Sequence, residues 1–331
     1  MPDITINDRG AVLIDKALTI DGHSTNPLRV VTHIHSDHVR DLSKSVNHCR
    51  GVVATPLTLD WLIELGHKVG KGNCLKLDYG SKIKIDGLEV TFERAYHIPG
   101  TSQVVTTDGD GLKTVYTSDF KKPGKGTPIV DCDVLIIDAV YGNPSHIREF
   151  DDYIEDVLTD LVRQLLSKGP VVIQGYHGKL QEVMQVLRAN GVDAPILLTP
   201  KVYRLTQVAE KHGLKVSNYV SVDSEDGAEV MRTKWFLMMD HVNSRYSRNL
   251  NGFKASKILL SGWEFKKPYR YLGYSKWLVA FSDHADFKGL MDYVINSNPK
   301  LVIVNSVRSS YADLFADAVR RTAKKECVVM P

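Results

Sequence analysis

The sequence predicts an α/β protein with more than one sheet, and three features point there. Short apolar runs rich in β-branched residues alternate with amphipathic helical stretches along most of the chain. The first half is dense in strands, whereas after Asp138 the pattern turns to strand–helix–strand–helix units, the signature of a parallel sheet. Finally, 331 residues at roughly 150 per domain make about two domains.

Taken in order, residues 12–14, 29–32, 51–54, 88–95, 104–107, 114–117 and 134–137 read as strands bounded by Gly, Pro, Asp or Asn, with one helix among them near 56–65. Ile154, Val157, Leu158, Leu161, Val162, Leu165 and Leu166 then recur at helical spacing over three turns. A strand at 170–174 leads to a helix around Leu180, Val183, Met184 and Leu187, and a strand at 195–198 leads to one around Val202, Leu205 and Val208. Residues 235–239 and 257–260 read as further strands, while the polar, poorly periodic stretch 220–234 is expected to be a surface loop. The last sixty residues return to strand–helix units: 277–281, a helix from Asp286, 301–304, and a helix through Phe315 and Val319.

Composition excludes several classes. At 43% hydrophobic and 24% charged residues the chain has material for a large core and is not a disordered protein. No apolar run approaches the roughly 18 residues that span a bilayer, so no membrane association is expected. The opening residues lack a basic and then apolar leader pattern, which predicts a cytoplasmic protein. Cys49, Cys74, Cys132 and Cys327 stand far apart without a C-x-x-C pair, so reduced thiols are expected rather than a disulfide framework. The net charge of +3 permits a polyanionic partner without requiring one.

The strongest signal is Thr32-His33-Ile34-His35-Ser36-Asp37-His38, directly after a strand. Three imidazoles and a carboxylate within six residues match the ligand set of borderline divalent metals. A loop at a strand end can turn His33 and His35 one way and Asp37 and His38 another, filling two adjacent sites. Crowded histidines without a metal repel one another once protonated. His97 and Asp119 also follow strands; either alone is more often a cap or surface residue, but beside this cluster they become the third ligand and the bridging carboxylate.

This pattern resembles the metallo-β-lactamase-fold hydrolases: H-x-H-x-D-H, a later His, a later Asp, and an earlier Asp on a strand, a position that Asp15 matches as a support of the ligand loop. The resemblance implies a four-layer αβ/βα sandwich with a metal pair at its loop edge. Two further motifs are similar to the β-CASP nucleases, whose core is interrupted by a cap domain. Leu135-Ile136-Ile137-Asp138 resembles their motif A with Asp138 as its carboxylate, and Phe281-Ser282-Asp283-His284 resembles motif B with His284 as its histidine. The implied division is a core over 1–144, an α/β cap over 145–267 and the rest of the core over 268–331.

Within that family, Ser261-Gly262-Trp263 and the context 141–144 look like the DNA-acting group that includes Artemis and the interstrand-crosslink repair exonucleases. The RNA-acting group, RNase J and the cleavage and polyadenylation nuclease, carries a motif C histidine that completes the second metal site. Here the strand 301–304 is followed by Asn305-Ser306-Val307, with Asn305 or Val307 at that position. The resemblance therefore implies two divalent ions, zinc first and manganese or magnesium otherwise, with the second held loosely by Asp37, His38 and Asp119.

The expected activity is phosphodiester hydrolysis of DNA or RNA, leaning to a 5′ DNA exonuclease. His33, His35 and His97 hold the first ion, Asp119 bridges, and Asp37, Asp138 and His284 act in catalysis, His284 oriented by Asp138. Lys121 and Lys122 beyond the bridging ligand, and Trp263 with Lys266 and Lys267, mix cations with stacking faces and suit single-stranded nucleic acid. The turn bearing His177 and Lys179 opens a helix whose amides suit a terminal phosphate. An RNA-processing nuclease is the near alternative. A lactonase- or glyoxalase-like hydrolase is a further one, but it leaves Asp138, His284 and the inserted domain without a role.

Overall fold

The computed structural model describes residues 2–69, 73–244, 246 and 254–331. The chain forms two compact units, Met1–Ile147 with Asp283–Pro331, and Arg148–Ser282.

The first unit holds two sheets. One runs in sequence order through β1 (Ile4–Ile6), β2 (Val12–Ile14), β3 (Leu18–Ile20), β4 (Leu28–Val30), β5 (Gly51–Ala54) and β6 (Cys74–Lys76). Its first three strands are antiparallel, and β3 to β6 are parallel. The parallel pairs β4–β5 and β5–β6 need crossovers, supplied here by α1 (Leu42–His48) and α2 (Pro56–Glu64). Thr55 starts α2 by accepting the Thr58 amide on its side chain, with Pro56 at the first helical position.

The other sheet comprises β7 (Lys82–Ile85), β8 (Leu88–Arg94), β9 (Ser102–Thr107), β10 (Lys113–Tyr116) and β11 (Val134–Ile137). It is completed by β19 (Leu301–Asn305) and β20 (Glu326–Met330), in the order β20-β19-β11-β10-β9-β8-β7. β7 to β10 are antiparallel, and β10, β11, β19 and β20 are parallel. It follows that β8 points the same way as β10, β11 and β19.

Ile14, Leu18, Ile20 and Val30 of one sheet share a buried cluster with Phe92, Val104, Tyr116, Ile136 and Ile303 of the other, so the sheets pack face to face. Behind the second sheet, α7 (Phe287–Ser297) and α8 (Ala312–Ala318) cover Leu135, Ile137, Val302 and Val304 with Leu290, Tyr293 and Phe315. With α1 against β5 on the first sheet, this is the four-layer αβ/βα sandwich.

The second unit is a doubly wound α/β layer structure. Its strands are β12 (Val171–Gly175), β13 (Ile196–Leu198), β14 (Tyr219–Ser221), β15 (Leu237–His241), β16 (Ser256–Leu260), β17 (Tyr269–Gly273) and β18 (Lys276–Val279), ordered β14-β13-β15-β12-β16-β18-β17. All pair in parallel except the edge strand β17. α3 (Ile154–Leu166) and α4 (Lys179–Ala189) cover it through Leu158, Leu161, Val162, Val183, Met184 and Leu187. α5 (Pro200–Lys211) and α6 (Glu225–Thr233) complete the set.

Two expectations change. The stretch 220–234 is not a loop: it holds the end of β14 and all of α6, whose start is fixed by Ser224 accepting the Gly227 amide, with Glu225 and Asp226 in the first turn. The expected boundary at 267/268 lies instead at 282/283, because the hairpin β17–β18 extends the inserted unit's own sheet through β16.

Candidate metal centre

The sandwich explains why distant residues meet. β3, β4, β8, β10, β11 and β19 all deliver their C-terminal ends to one edge of the first unit, the edge at which parallel sheets ordinarily bind ligands. Asp21 follows β3, the segment 32–38 follows β4, His97 follows β8, Asp119 follows β10 and Asp138 follows β11. His284 lies just before α7, whose N-terminus Asp286 caps by accepting the Gly289 amide.

Two overlapping ligand groups result. His33, His35, His97 and Asp119 bring one ligand atom each within 4.8 Å of one another, and so do His38, Asp119 and Asp138. Asp119 belongs to both, with Oδ2 at 3.5 Å from His33 Nε2, 3.3 Å from His38 Nε2 and 3.7 Å from His97 Nε2.

The hydrogen bonds behind the ligands decide which nitrogen each imidazole offers. His38 Nδ1 donates to Asp21 Oδ2 (2.8 Å), so its Nε2 faces inward. His97 Nδ1 donates to the Asp283 carbonyl (2.9 Å), again leaving Nε2. Thr32 Oγ1 donates to Asp21 Oδ2 and receives His33 Nδ1 (3.1 Å), which directs His33 Nε2 into the site. His35 differs, presenting Nδ1 at 3.0 Å from His97 Nε2. Two ring nitrogens that close, and the buried His33 Nε2, His38 Nε2 and Asp138 Oδ1 without hydrogen-bond partners, form the unfinished coordination that a cation completes. The residues present therefore fit divalent metal ions.

The charges agree. Burial, joined by repulsion from neighbouring imidazoles, holds His33 well below its ordinary pKa, and burial lowers His97 to about 3. Both are thus neutral ligands at physiological pH. His38 goes the other way: against the cost of burial, Asp37 raises its pKa well above the ordinary value, so its Nε2 holds a proton or a metal ion. Burial raises Asp138 to about 6 although Arg308 pulls it down.

Relatives bear on the site. No protein-family model matches the chain. It is 44% identical over 138 residues to an uncharacterized protein of the lig 3′ region of Acidianus ambivalens, covering 42% of this chain and 99% of that one. A probable DNA ligase of Opitutus terrae is 25% identical over 309 residues (91% of this chain, 28% of the ligase). A ribonuclease of Thermus thermophilus is 26% identical over 262 residues (70% and 60%). A DNA cross-link repair protein of Arabidopsis thaliana is 29% identical over 174 residues (49% and 35%). These last two relatives are metallo-β-lactamase β-CASP nucleases, and the chain is similar to them at modest identity. It spans under two thirds of the ligase, of the ribonuclease and of the cross-link repair protein. The fold also recurs in a crystal structure of a protein of unknown function from Enterococcus faecalis, at a TM-score of 0.60 and 13% identity over 92% of this chain and 79% of that one.

Against the β-CASP pattern, several expected residues fall elsewhere. Asp15 does not support the ligand loop: it ends β2, which runs antiparallel to β3, so it sits at the opposite edge and accepts the Asp3 amide. Asp21 takes that position, accepting the Thr32 amide (2.8 Å), the Thr32 hydroxyl (2.6 Å) and His38. Asp37 stands at the rim, half exposed, with Oδ2 3.2 Å from His38 Nε2; the second ligand group takes Asp138 instead. Asp138 also accepts the Tyr116 hydroxyl (2.5 Å), while His284 Nδ1 lies 3.6 Å from Asp119 Oδ1.

At the motif C position neither candidate joins a ligand group. Buried Asn305 donates to the Gly10 carbonyl and Val307 is exposed. Lys121 and Lys122 lie in the first unit with their ammonium groups 4.6 and 5.7 Å from the Tyr96 ring centre. His177, Lys179, Trp263, Lys266 and Lys267 lie in the second unit. There the His177 ring packs 4.3 Å from that of His241, Lys179 is buried, and Trp263, Lys266 and Lys267 are exposed. Sequence reasoning missed Asp21, Tyr116 and Arg308. A strand-terminal acid in Leu18-Thr19-Ile20-Asp21 was the signal available for the first of them.

Proposed function

We propose that this chain is a metal-dependent phosphodiesterase that shortens single-stranded DNA from a 5′ end. The observation that carries the reading is the carboxylate of Asp119, common to two adjacent ligand groups, as a two-ion phosphodiesterase requires. Divalent ions bound there, zinc foremost for so imidazole-rich a set, would lower the pKa of a coordinated water and clamp phosphate oxygens. His33, His35 and His97 would hold one ion, His38 and Asp138 with rim-standing Asp37 the other, and Asp119 both.

The chain's own residues do the rest. Asp21 and the Asp283 carbonyl fix the tautomers and orientation of His38 and His97. His284, a quarter exposed and beside Asp119, donates to the phosphoryl oxygens or protonates the leaving oxygen. Lys121 and Lys122 take backbone phosphates, Trp263 with Lys266 and Lys267 a base and its phosphates. The turn 175–179, where the Gly178 amide donates to Gln181 at the start of α4, receives the terminal phosphate with His177 and Lys179.

DNA as substrate is supported by the ligase and cross-link repair relatives and by the lack of histidine at 305–307. The ribonuclease relatives support RNA as the second reading. End-labelled digestion of single-stranded DNA and RNA, each with and without a 5′ phosphate, in zinc, manganese and magnesium separates them. Faster loss of 5′-phosphorylated DNA is expected; preferential cutting of RNA would reverse the substrate assignment. A folded Asp37→Ala/His38→Ala variant with full phosphodiesterase activity would rule out this site altogether.

A further inference from the structure

Arg308 follows β19 directly after the motif C position, and its side chain is buried. Its guanidinium is tied down on most sides. Nη2 donates to the carbonyls of Asp21 (2.6 Å) and Asp37 (3.2 Å), and Nη1 donates to the Gly10 carbonyl (2.5 Å) and lies 3.3 Å from the Tyr116 hydroxyl. Gly10 is part of the device. Its φ of +80° suits glycine, and a Cβ there would press to 3.3 Å on the guanidinium carbon.

What these bonds aim is the charge. Nη1 stands 3.9 Å from Asp138 Oδ2 and Nε 3.9 Å from Asp37 Oδ2, the two carboxylates that border the His38 pocket. Nε is buried without a hydrogen-bond partner, as is Asp138 Oδ1. The two pockets thus differ in kind. The His33 pocket has three imidazoles and the shared Asp119. The His38 pocket has one imidazole and more carboxylate, with a permanent positive charge set behind it. Buried acids need such a partner to stay ionised, and a metal ion entering beside a fixed guanidinium meets like charge.

We infer that Arg308 is the resident cation of the second pocket: it keeps Asp37 and Asp138 in position before any ion arrives and weakens that pocket for its ion, so the two pockets fill in order, the His33 pocket first. This rests on the two-ion reading above, and its test is one of binding, not of nuclease activity. Arg308 is a positioning residue, acting through Asp37 and Asp138.

The experiment is a titration of metal-depleted full-length protein with Mn²⁺, free ion being followed by electron paramagnetic resonance, with elemental analysis after dialysis. Wild type is expected to keep one ion per chain through dialysis and to bind a second at least tenfold more weakly. In Arg308→Met the second site should tighten at least tenfold, and Arg308→Lys, which keeps the charge, should stay within threefold of wild type. Two equally tight ions in wild type would overturn the inference, as would a folded Arg308→Met with unchanged second-site affinity. Should Arg308→Met fail to fold, the wild-type stoichiometry and the lysine variant still decide. Failure to cut any nucleic acid while the ions bind in this order would instead count against the nuclease reading alone.

Discussion

The two units present the same architectural edge, the C-terminal ends of parallel strands, and furnish it in opposite ways. In the first unit that edge delivers imidazoles and carboxylates, buried and locked by a layer of hydrogen bonds behind them. In the second, β12 and β15 deliver a glycine-bearing turn, Lys179, and a stacked His177–His241 pair at a helix start. The first edge is rich in metal-ligating imidazoles and acids, and the second sets an imidazole pair and an ammonium at a helix start. Geometry common to α/β sheets thus sets where a ligand sits, while residue type sets the sign of what it binds.

Breaking the first edge should cost most. Asp119→Asn removes the carboxylate common to both ligand groups, and hydrolysis of labelled single-stranded DNA should fall about 10³-fold or more with circular dichroism unchanged. One layer back, Asp21→Asn should weaken metal binding about 10- to 100-fold by chelator competition, whereas Asp15→Asn should leave it unchanged. Equal effects of the two would break the distinction between the β3 and β2 ends.

The pH response sharpens it further. Because Asp37 raises the pKa of His38 above its ordinary value, a metal ion at His38 must displace a proton until the pH exceeds that raised value. Second-ion affinity should therefore rise about tenfold per pH unit through neutrality, measured by Mn²⁺ titration. First-ion affinity should stay flat there, because His33 and His97 are already neutral. Damage to the second edge should be milder: Lys179→Ala should lower the preference for 5′-phosphorylated over 5′-hydroxyl strands about tenfold, read as a ratio of rates, with metal content unaffected. Trp263→Ala should raise KM by a few-fold, in keeping with the loss of one stacked base.

What was legible in the chain follows from how local the information is. His33 to His38 form one contiguous loop, so their spacing announces them, and His97 and Asp119 become readable beside it. Asp15 and Asp21 both end short strands, and only the antiparallel pairing of β2 with β3 reveals which one reaches the site. Arg308 acquires meaning from β19 lying beside β11, a neighbour relation that joins segments over 160 residues apart. The helix α6 escaped periodicity because Gly227 is its one buried residue, so no apolar stripe marks it. The cap boundary is not legible, because an edge hairpin looks alike whichever sheet it completes.

The seam between β11 and β19 also governs how the protein must be made. Until residues 301–305 leave the ribosome, β11 is an open edge of a parallel sheet that the finished protein buries, and Asp138 lacks the arginine that neutralises it. Synthesis of the whole inserted unit intervenes, so a nascent polypeptide stalled within it holds the His33 ligands, all supplied by residues 33–119, but an Asp138 without its arginine.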